Sequence, residues 1–156
     1  MANTEFTHPN ARSAYTGVGY GGNAGLVHKV AIVELPTTTM QTGDITWLMY
    51  VPAGATIVDG YVKADDLDGG TSLAYNIGDS TTTNLFFANT TTGQSAGSSA
   101  MTTTARYTTY SAATRIKMTV STTAETATAG TFIFGLTYFV DPAINVTTGI
   151  APIVVV

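Results

Sequence analysis

Charged side chains are scarce in this chain. They make up 10% of its 156 residues, where about 25% is typical of soluble domains. Only six residues are Lys or Arg, and the formal net charge is −4. The sequence therefore has no basic stripe that could neutralise phosphates, and we expect no nucleic-acid binding.

Cysteine and long apolar runs are missing as well. Without cysteine, neither a disulfide framework nor a thiolate metal site can form, so stability has to come from packing and assembly. The longest apolar stretches are too short to span a bilayer. The first ten residues lack the basic start and apolar run of a secretory signal, so we expect neither membrane contact nor secretion by that route.

Threonine, serine, glycine and alanine take the place of the missing charges. Threonine alone makes up about a fifth of the chain, and β-branched side chains favour strands. Eight short runs between turn residues are typical of strands: Val27–Leu35, Asp44–Val51, Ala55–Lys63, Ser72–Gly78, Asn84–Ala88, Arg106–Tyr110, Arg115–Ser121 and Thr131–Val140. No stretch is typical of a long helix. The expected fold is all-β, a jelly-roll-like antiparallel β-sandwich of about eight strands.

Alternation along one of these runs shows how the strands should face. Residues 115–120 place three apolar side chains on one face and three polar ones on the other, namely Ile116, Met118 and Val120 against Arg115, Lys117 and Thr119. This pattern predicts a half-buried strand. The low-complexity segment Thr90–Thr104 is expected to be a long loop, either a surface excursion or a contact element.

Three parts follow along the chain. Residues 1–26 are Gly-rich and without periodicity, which predicts an extended N-terminal arm. Residues 27–141 form the predicted sandwich domain, and residues 142–156 form an apolar tail. The tail is either a last strand of the domain's own sheet or a strand donated to a neighbour.

The two ends supply the candidate interface residues. The arm is either a loose terminus or a segment ordered on a partner, in which case its aromatic side chains are the anchors. In the tail, the apolar side chains need burial to avoid aggregation. The predicted interface residues are Phe6, Tyr15, Tyr20, Ile150, Ile153, Val154, Val155 and Val156.

The sequence offers few candidates for catalytic or metal-binding residues. The two histidines, His8 and His28, lie in no recognisable motif, so no nucleophile has an evident base and we expect neither an enzyme nor a cofactor site. Asp65, Asp66 and Asp68, beside a glycine turn, could offer oxygen ligands to a hard cation. Their spacing does not match an EF-hand, and the alternative is a turn in which Asp caps backbone amides.

Aromatic side chains are spread over the predicted strands. Most are expected in the core, although a sugar-stacking platform is the alternative. The set comprises Trp47, Tyr61, Tyr75, Phe86, Phe87, Tyr107, Tyr110, Phe132, Phe134, Tyr138 and Phe139.

Three segments together resemble a known family. They are Val51 to Asp68 (VPAGATIVDGYVKADDLD), Leu73 to Asp79 (LAYNIGD) and Ala129 to Asp141 (AGTFIFGLTYFVD). This pattern of a strand pair, a strand ending in Gly-Asp and a closing strand resembles the capsid decoration, or cement, proteins of tailed bacteriophages. The resemblance covers roughly residues 31–141, and its motifs are short and structural.

The resemblance implies a jelly-roll-like structural protein without catalytic residues. Its place would be the outside of a phage head after synthesis in the host cytoplasm, and its partners would be the major capsid protein and copies of itself in a homotrimer that stabilises the shell. Two other functions stay open: a head-fibre or tail-associated adhesin that binds glycans, and a carbohydrate-binding module. A row of exposed aromatic rings would favour either of these.

Overall fold

The computed structural model describes residues 5–7 and 26–140. They contain nine strands: β1 (Glu5–Thr7), β2 (Leu26–Leu35), β3 (Ile45–Val51), β4 (Ala55–Ala64), β5 (Ala74–Gly78), β6 (Phe87–Thr90), β7 (Gly97–Ala100), β8 (Thr114–Thr122) and β9 (Gly130–Val140). The strands form a five-stranded sheet, in the order β1-β3-β8-β5-β6, and a four-stranded sheet, in the order β2-β9-β4-β7. The predicted jelly-roll-like β-sandwich is confirmed, with eight strands between residues 26 and 140.

Strand β9 lies between the two other long strands of the four-stranded sheet, β2 and β4. Strand β9 pairs antiparallel with β2 from Leu26↔Phe139 to Leu35↔Gly130, and its other edge pairs with β4. A bulge between Ile57 and Asp59 interrupts the β4 pairing. In the five-stranded sheet, β8 lies between β3 and β5 and pairs antiparallel with both, whereas the short β1 pairs parallel with β3.

The core lies between the two sheets. In β2, β8 and much of β9, alternate residues point into it, as the sequence pattern predicts, and Ile116, Met118 and Val120 of β8 are buried. Aromatic rings join the two sheets across the core. Phe132 of β9 meets Tyr75 of β5 edge to face, with 5.4 Å between ring centroids, a geometry that adds to the stabilisation from burial.

Two of the predicted strand positions need correction. Arg106–Tyr110 is not a strand: a 3-10 turn covers Thr103–Ala105, and Tyr107 has a φ of 66°. That left-handed backbone cannot continue a ladder, so one isolated bridge to β4, Thr56↔Thr109, is formed. Asn84–Ala88 is shifted, because the turn that follows β5 continues to Leu85, whose N–H donates to Thr82 O, and β6 begins at Phe87.

The predicted loop Thr90–Thr104 contains a strand. Residues Gly97–Ala100 form β7 because the edge of β4 supplies an antiparallel partner over Tyr61–Ala64. Helix is limited to two 3-10 turns of three residues each in the part of the chain described, and no helix there is long and apolar enough to cross a membrane.

Candidate functional site: the outer faces of the two sheets

The outer face of the four-stranded sheet exposes apolar side chains. Three of the large hydrophobic residues that reach solvent lie on it: Leu26 and Ile32 of β2 are 66% and 53% exposed, and Tyr61 of β4 is 37% exposed. Ile133 of β9, directly opposite Ile32, is half-buried. Because a strand alternates its side chains, these residues are the outward partners of the core residues beside them.

Tyr61 lies flat on this face. A Cβ at Gly135, its cross-strand partner, would overlap the tyrosine ring, so the ring rests directly on the backbone of β9. The imidazole of His28 stacks beside it, with ring centroids 5.9 Å apart and planes 15° apart. His28 Nδ1 also shares a 2.8 Å hydrogen bond with Thr137 Oγ1. The stacking and the hydrogen bond thus hold the His28 side chain in place on the surface of the sheet.

The outer face of the five-stranded sheet is cationic and aromatic. Four side chains of β3 and β8 form what we call the basic strip: Trp47, Tyr50, Arg115 and Lys117. The Arg115 guanidinium carbon lies 3.8 Å from the centroid of the Trp47 ring. Lys117 Nζ lies 5.6 Å from that centroid, and Arg115 is 5.6 Å from the Tyr50 ring. All three distances fall within cation–π range.

A β-bulge brings these four side chains together. The β3–β8 register shifts between Trp47 and Met49, so Leu48 and Met49 are both buried and Tyr50 returns to the same face as Trp47. Regular alternation would instead place Tyr50 on the opposite face from Trp47. The bulge therefore builds the strip.

Three polar atoms of this face have no hydrogen-bond partner in the part of the chain that the structure describes. They are Arg115 Nε, Thr119 Oγ1 and Ser121 Oγ, and all three are inaccessible to solvent. Arg106 and Asp59 form an exposed ion pair at 3.2 Å. Among the described residues, neither Arg115 nor Lys117 has a carboxylate partner of this kind. Lys29 borders the strip: its Nζ donates to Tyr50 O at 3.1 Å, and burial lowers its pKa.

The acidic turn is held together by hydrogen bonds to the buried carboxylate of Asp68. Its Oδ1 accepts hydrogen bonds from the N–H groups of Gly70 and Thr126, and its Oδ2 accepts from Ser72 and Leu73. Burial by itself raises the pKa of Asp68, but the four backbone N–H donors outweigh that effect and lower the pKa far below its usual range. The carboxylate ties the β4–β5 crossover to the β8–β9 crossover.

The other two predicted cation ligands are used in the same way. Asp65 Oδ2 accepts from Thr131 N–H at 2.8 Å, which lowers the pKa of Asp65, and Asp66 Oδ1 accepts from Asp68 N–H at 3.3 Å. Across residues 26–140, no three His, Cys, Asp or Glu side chains converge on a point where they could hold a metal ion. The capping alternative therefore describes the geometry of this turn.

The predicted aromatic core holds for seven of its eleven members. Trp47 and Phe139 are half-buried on outer faces, and Tyr61 and Tyr107 are exposed. Tyr107 is 76% exposed and lies in the turn after Thr103–Ala105, where its backbone is left-handed. Its ring makes no contact with that of Tyr61 in the described structure, where Tyr61 instead stacks on His28.

Most of the predicted interface residues fall outside the described residues. These are Tyr15, Tyr20, Ile150, Ile153, Val154, Val155 and Val156. Phe6 lies in β1, where its backbone is opposite Thr46 of β3. The basic strip could not be predicted from the sequence, although alternation along residues 115–120 predicts that Arg115 and Lys117 share one face of their strand.

Several chains of solved phage capsids have a similar structure. One, from the capsid asymmetric unit of cyanophage Pam1, is 27% identical with a TM-score of 0.69, covering 84% of this chain and 94% of that one. One from the capsid of Ralstonia phage GP4 is 19% identical with a TM-score of 0.71, covering 88% and 99%. One from the acidic stable capsid of Helicobacter pylori bacteriophage KHP30 is 16% identical with a TM-score of 0.53, covering 73% and 88%.

These likenesses differ in what they support. At 19% and 16% identity, the GP4 and KHP30 chains are evidence for the fold alone, because one fold serves many functions. The Pam1 chain adds sequence similarity over almost its whole length. No protein-family model matches the sequence, and no curated protein matches it.

Proposed function

We propose that this chain is a structural protein of a phage virion that binds the outside of the capsid and stabilises it, as decoration proteins do. The observation that carries the proposal is the likeness to a chain of the Pam1 capsid, at 27% identity over 94% of that chain. The resemblance of residues 51–68, 73–79 and 129–141 to decoration proteins supports it independently. The chain is made in the host cytoplasm and then occupies the capsid exterior, with the major capsid protein as its partner.

The physical mechanism needs a surface and no reaction. A protein that binds the assembled shell and not its free subunits stabilises the shell by mass action. Interfaces are depleted in charged residues because desolvating them is costly, and this chain has 10% charged residues. The exposed side chains of Leu26 and Ile32 also support assembly, because contact with a partner would remove these apolar groups from water.

Shell binding tests this proposal. Shells assembled from the major capsid protein of the same genome, without this chain, would be mixed with the purified protein and sedimented. We expect saturable co-sedimentation and a higher temperature of shell disruption, with an unrelated protein of similar size as the control. Sedimentation of bare shells, with disruption at the same temperature, would overturn the proposal.

Self-association is the second part of the proposal. We propose a homotrimer, because the ten-residue edge strand β2 has no strand on its outer side in the described sheet, and undefended edges pair with other chains. Its one cation, Lys29, is turned toward Tyr50 instead of guarding the edge. Sedimentation velocity at micromolar concentration should give the mass of three chains, and a monomer there would contradict this part.

The two chain ends are proposed to carry contacts between copies and with the shell. Deleting residues 2–25 should then weaken shell binding while lowering the thermal midpoint of the domain only slightly, because the deletion also removes the three-residue edge strand β1. Deleting residues 145–156 should do the same if the tail is donated to a neighbour, but should lower the midpoint sharply if the tail is an internal strand. Truncations that unfold the domain without affecting shell binding would rule out this role for the ends.

A further inference from the structure

The basic strip has a charge arrangement unlike the rest of the molecule. Arg115 and Lys117 are two residues apart on β8 and point to the same side, about 7 Å apart along the strand. Two like charges on one strand face repel each other. The chain has ten acidic residues against six basic ones, yet in residues 26–140 none of the acids forms an ion pair with either cation.

Arg115 is held in a fixed orientation before any partner arrives. Its guanidinium stacks 3.8 Å from the centroid of Trp47, and Tyr50 lies on its other flank at 5.6 Å. Its Nε is inaccessible and has no hydrogen bond within residues 26–140, so the terminal N–H groups are the ones left to contact a partner. A guanidinium fixed in this way loses little entropy on binding, and its planar fork matches a carboxylate.

We propose that the basic strip is the docking site for a carboxylate-bearing segment of the shell protein. This inference rests on the proposed function, because it names the chemistry of that contact. A carboxylate would relieve the repulsion between Arg115 and Lys117 and supply an acceptor for the arginine fork. The acidic net charge of the chain, −4, also favours an isolated acidic segment over nucleic acid, whose dense phosphates need many cations.

Trp47 makes the site directly observable. It is the sole tryptophan of the chain, so tryptophan fluorescence reports on the strip alone. A hexaglutamate peptide titrated into the full-length protein should change the emission saturably, and the effect should weaken in high salt because exposed charges are screened. A hexaserine peptide should cause no change.

Matched variants test whether the strip is responsible. The double variant Arg115→Gln with Lys117→Gln should weaken hexaglutamate binding at least about tenfold, which is the scale of losing charge-assisted hydrogen bonds. Lys63→Gln removes one charge from the other sheet, where Lys63 is exposed, and should leave binding unchanged. Arg115→Lys keeps the charge but loses the fork, so its binding should fall between the wild type and the double variant.

The same variants on shells separate this inference from the proposed function. We expect the double variant to release from shells at lower salt than the wild type and Lys63→Gln do. If the wild type binds shells and the double variant binds them equally well, the docking site is wrong and the proposed function stands. If the wild type does not bind shells, the proposed function fails, whatever hexaglutamate does.

Three peptide results would also overturn the docking site. One is an emission that hexaglutamate leaves unchanged. Another is an equal response to a single-stranded oligonucleotide of matched charge, which would assign the strip to anions in general. The third is a hexaglutamate response that appears only after residues 2–25 are deleted, because the arm of the chain itself would then be the occupant.

Discussion

The two sheets of the sandwich bury similar inner faces and differ in their outer ones. The outer face of the four-stranded sheet exposes Leu26, Ile32 and Tyr61. On this face Asp59 of β4 forms an ion pair with Arg106 of the turn after Thr103–Ala105, and Lys63 of β4 is also exposed there. On the outer face of the five-stranded sheet, Arg115 and Lys117 form no ion pair with a carboxylate of residues 26–140, and the outward residues of β3 and those of β8 up to Ser121 are half-buried.

The difference shows where specificity can reside in a chain with few charges. Apolar contact is non-directional and suits association with many partners, whereas a fixed guanidinium fork selects a carboxylate. We therefore expect the first face to supply apolar contact area and the second to supply orientation, so that mutations should affect the two separately.

The largest effect should come from Asp68→Asn, which weakens the hydrogen bonds that join the two crossover connections between the sheets. Four backbone N–H groups donate to this buried carboxylate, and an amide offers one acceptor oxygen instead of two. We expect the free energy of unfolding to fall by about 3 kcal/mol or more, measured by urea titration. Asp66→Asn is the control, because Asp66 is exposed and accepts one local hydrogen bond. Equal losses of unfolding free energy for the two variants would show that the Asp68 hydrogen bonds have no special role.

Acid should act on the same group. Because folding lowers the pKa of Asp68, its contribution to stability is complete above the ordinary carboxyl pKa of about 4 and is lost as pH falls from there toward the folded pKa. The difference in thermal midpoint between wild type and Asp68→Asn should therefore be constant near neutral pH and shrink below about pH 4. A difference that stays constant down to pH 2 would show that the carboxylate charge is irrelevant.

Gly135→Ala should have a smaller effect, confined to the four-stranded face. The new methyl group overlaps the Tyr61 ring, so the ring has to leave its stack with His28. We expect a loss of about 1–2 kcal/mol, as for overpacking, or a midpoint lower by several degrees. Gly97→Ala in β7 meets nothing closer than 3.8 Å and should be nearly neutral; matching losses would mean that the Tyr61 contact does not matter.

The smallest effect should come from Arg106→Gln. Arg106 and Asp59 side chains are 38% and 54% exposed, and exposed ion pairs contribute less than about 1 kcal/mol. The midpoint and shell binding should both stay close to wild type, in contrast to the loss of shell binding expected when the cations of the basic strip are removed. Equal loss of shell binding would show that total charge, and not the strip, governs attachment.

Much of this fold could be predicted from local patterns. Alternation placed six of eight strands near their observed bounds because one face of each is buried. Strand β7 was missed because the sequence Gly-Ser-Ser-Ala has no such pattern and owes its conformation to the edge of β4. The strand pattern predicts Trp47 in the core with the other aromatic residues, whereas it is half-buried on the outer face. The bulge that brings Tyr50 to the same face depends on pairing with β8 and leaves no local signal in the sequence.

A cryo-EM map of shells decorated with this protein would show which face of the sandwich meets the capsid. We expect density for the sandwich on the capsid exterior in threefold groups, with the five-stranded sheet turned toward the shell and an acidic side chain of the capsid protein at Arg115. Shells without added density would contradict the proposed function. Density that places the four-stranded face on the shell, with Trp47 and Arg115 in solvent, would contradict the assignment of the two faces.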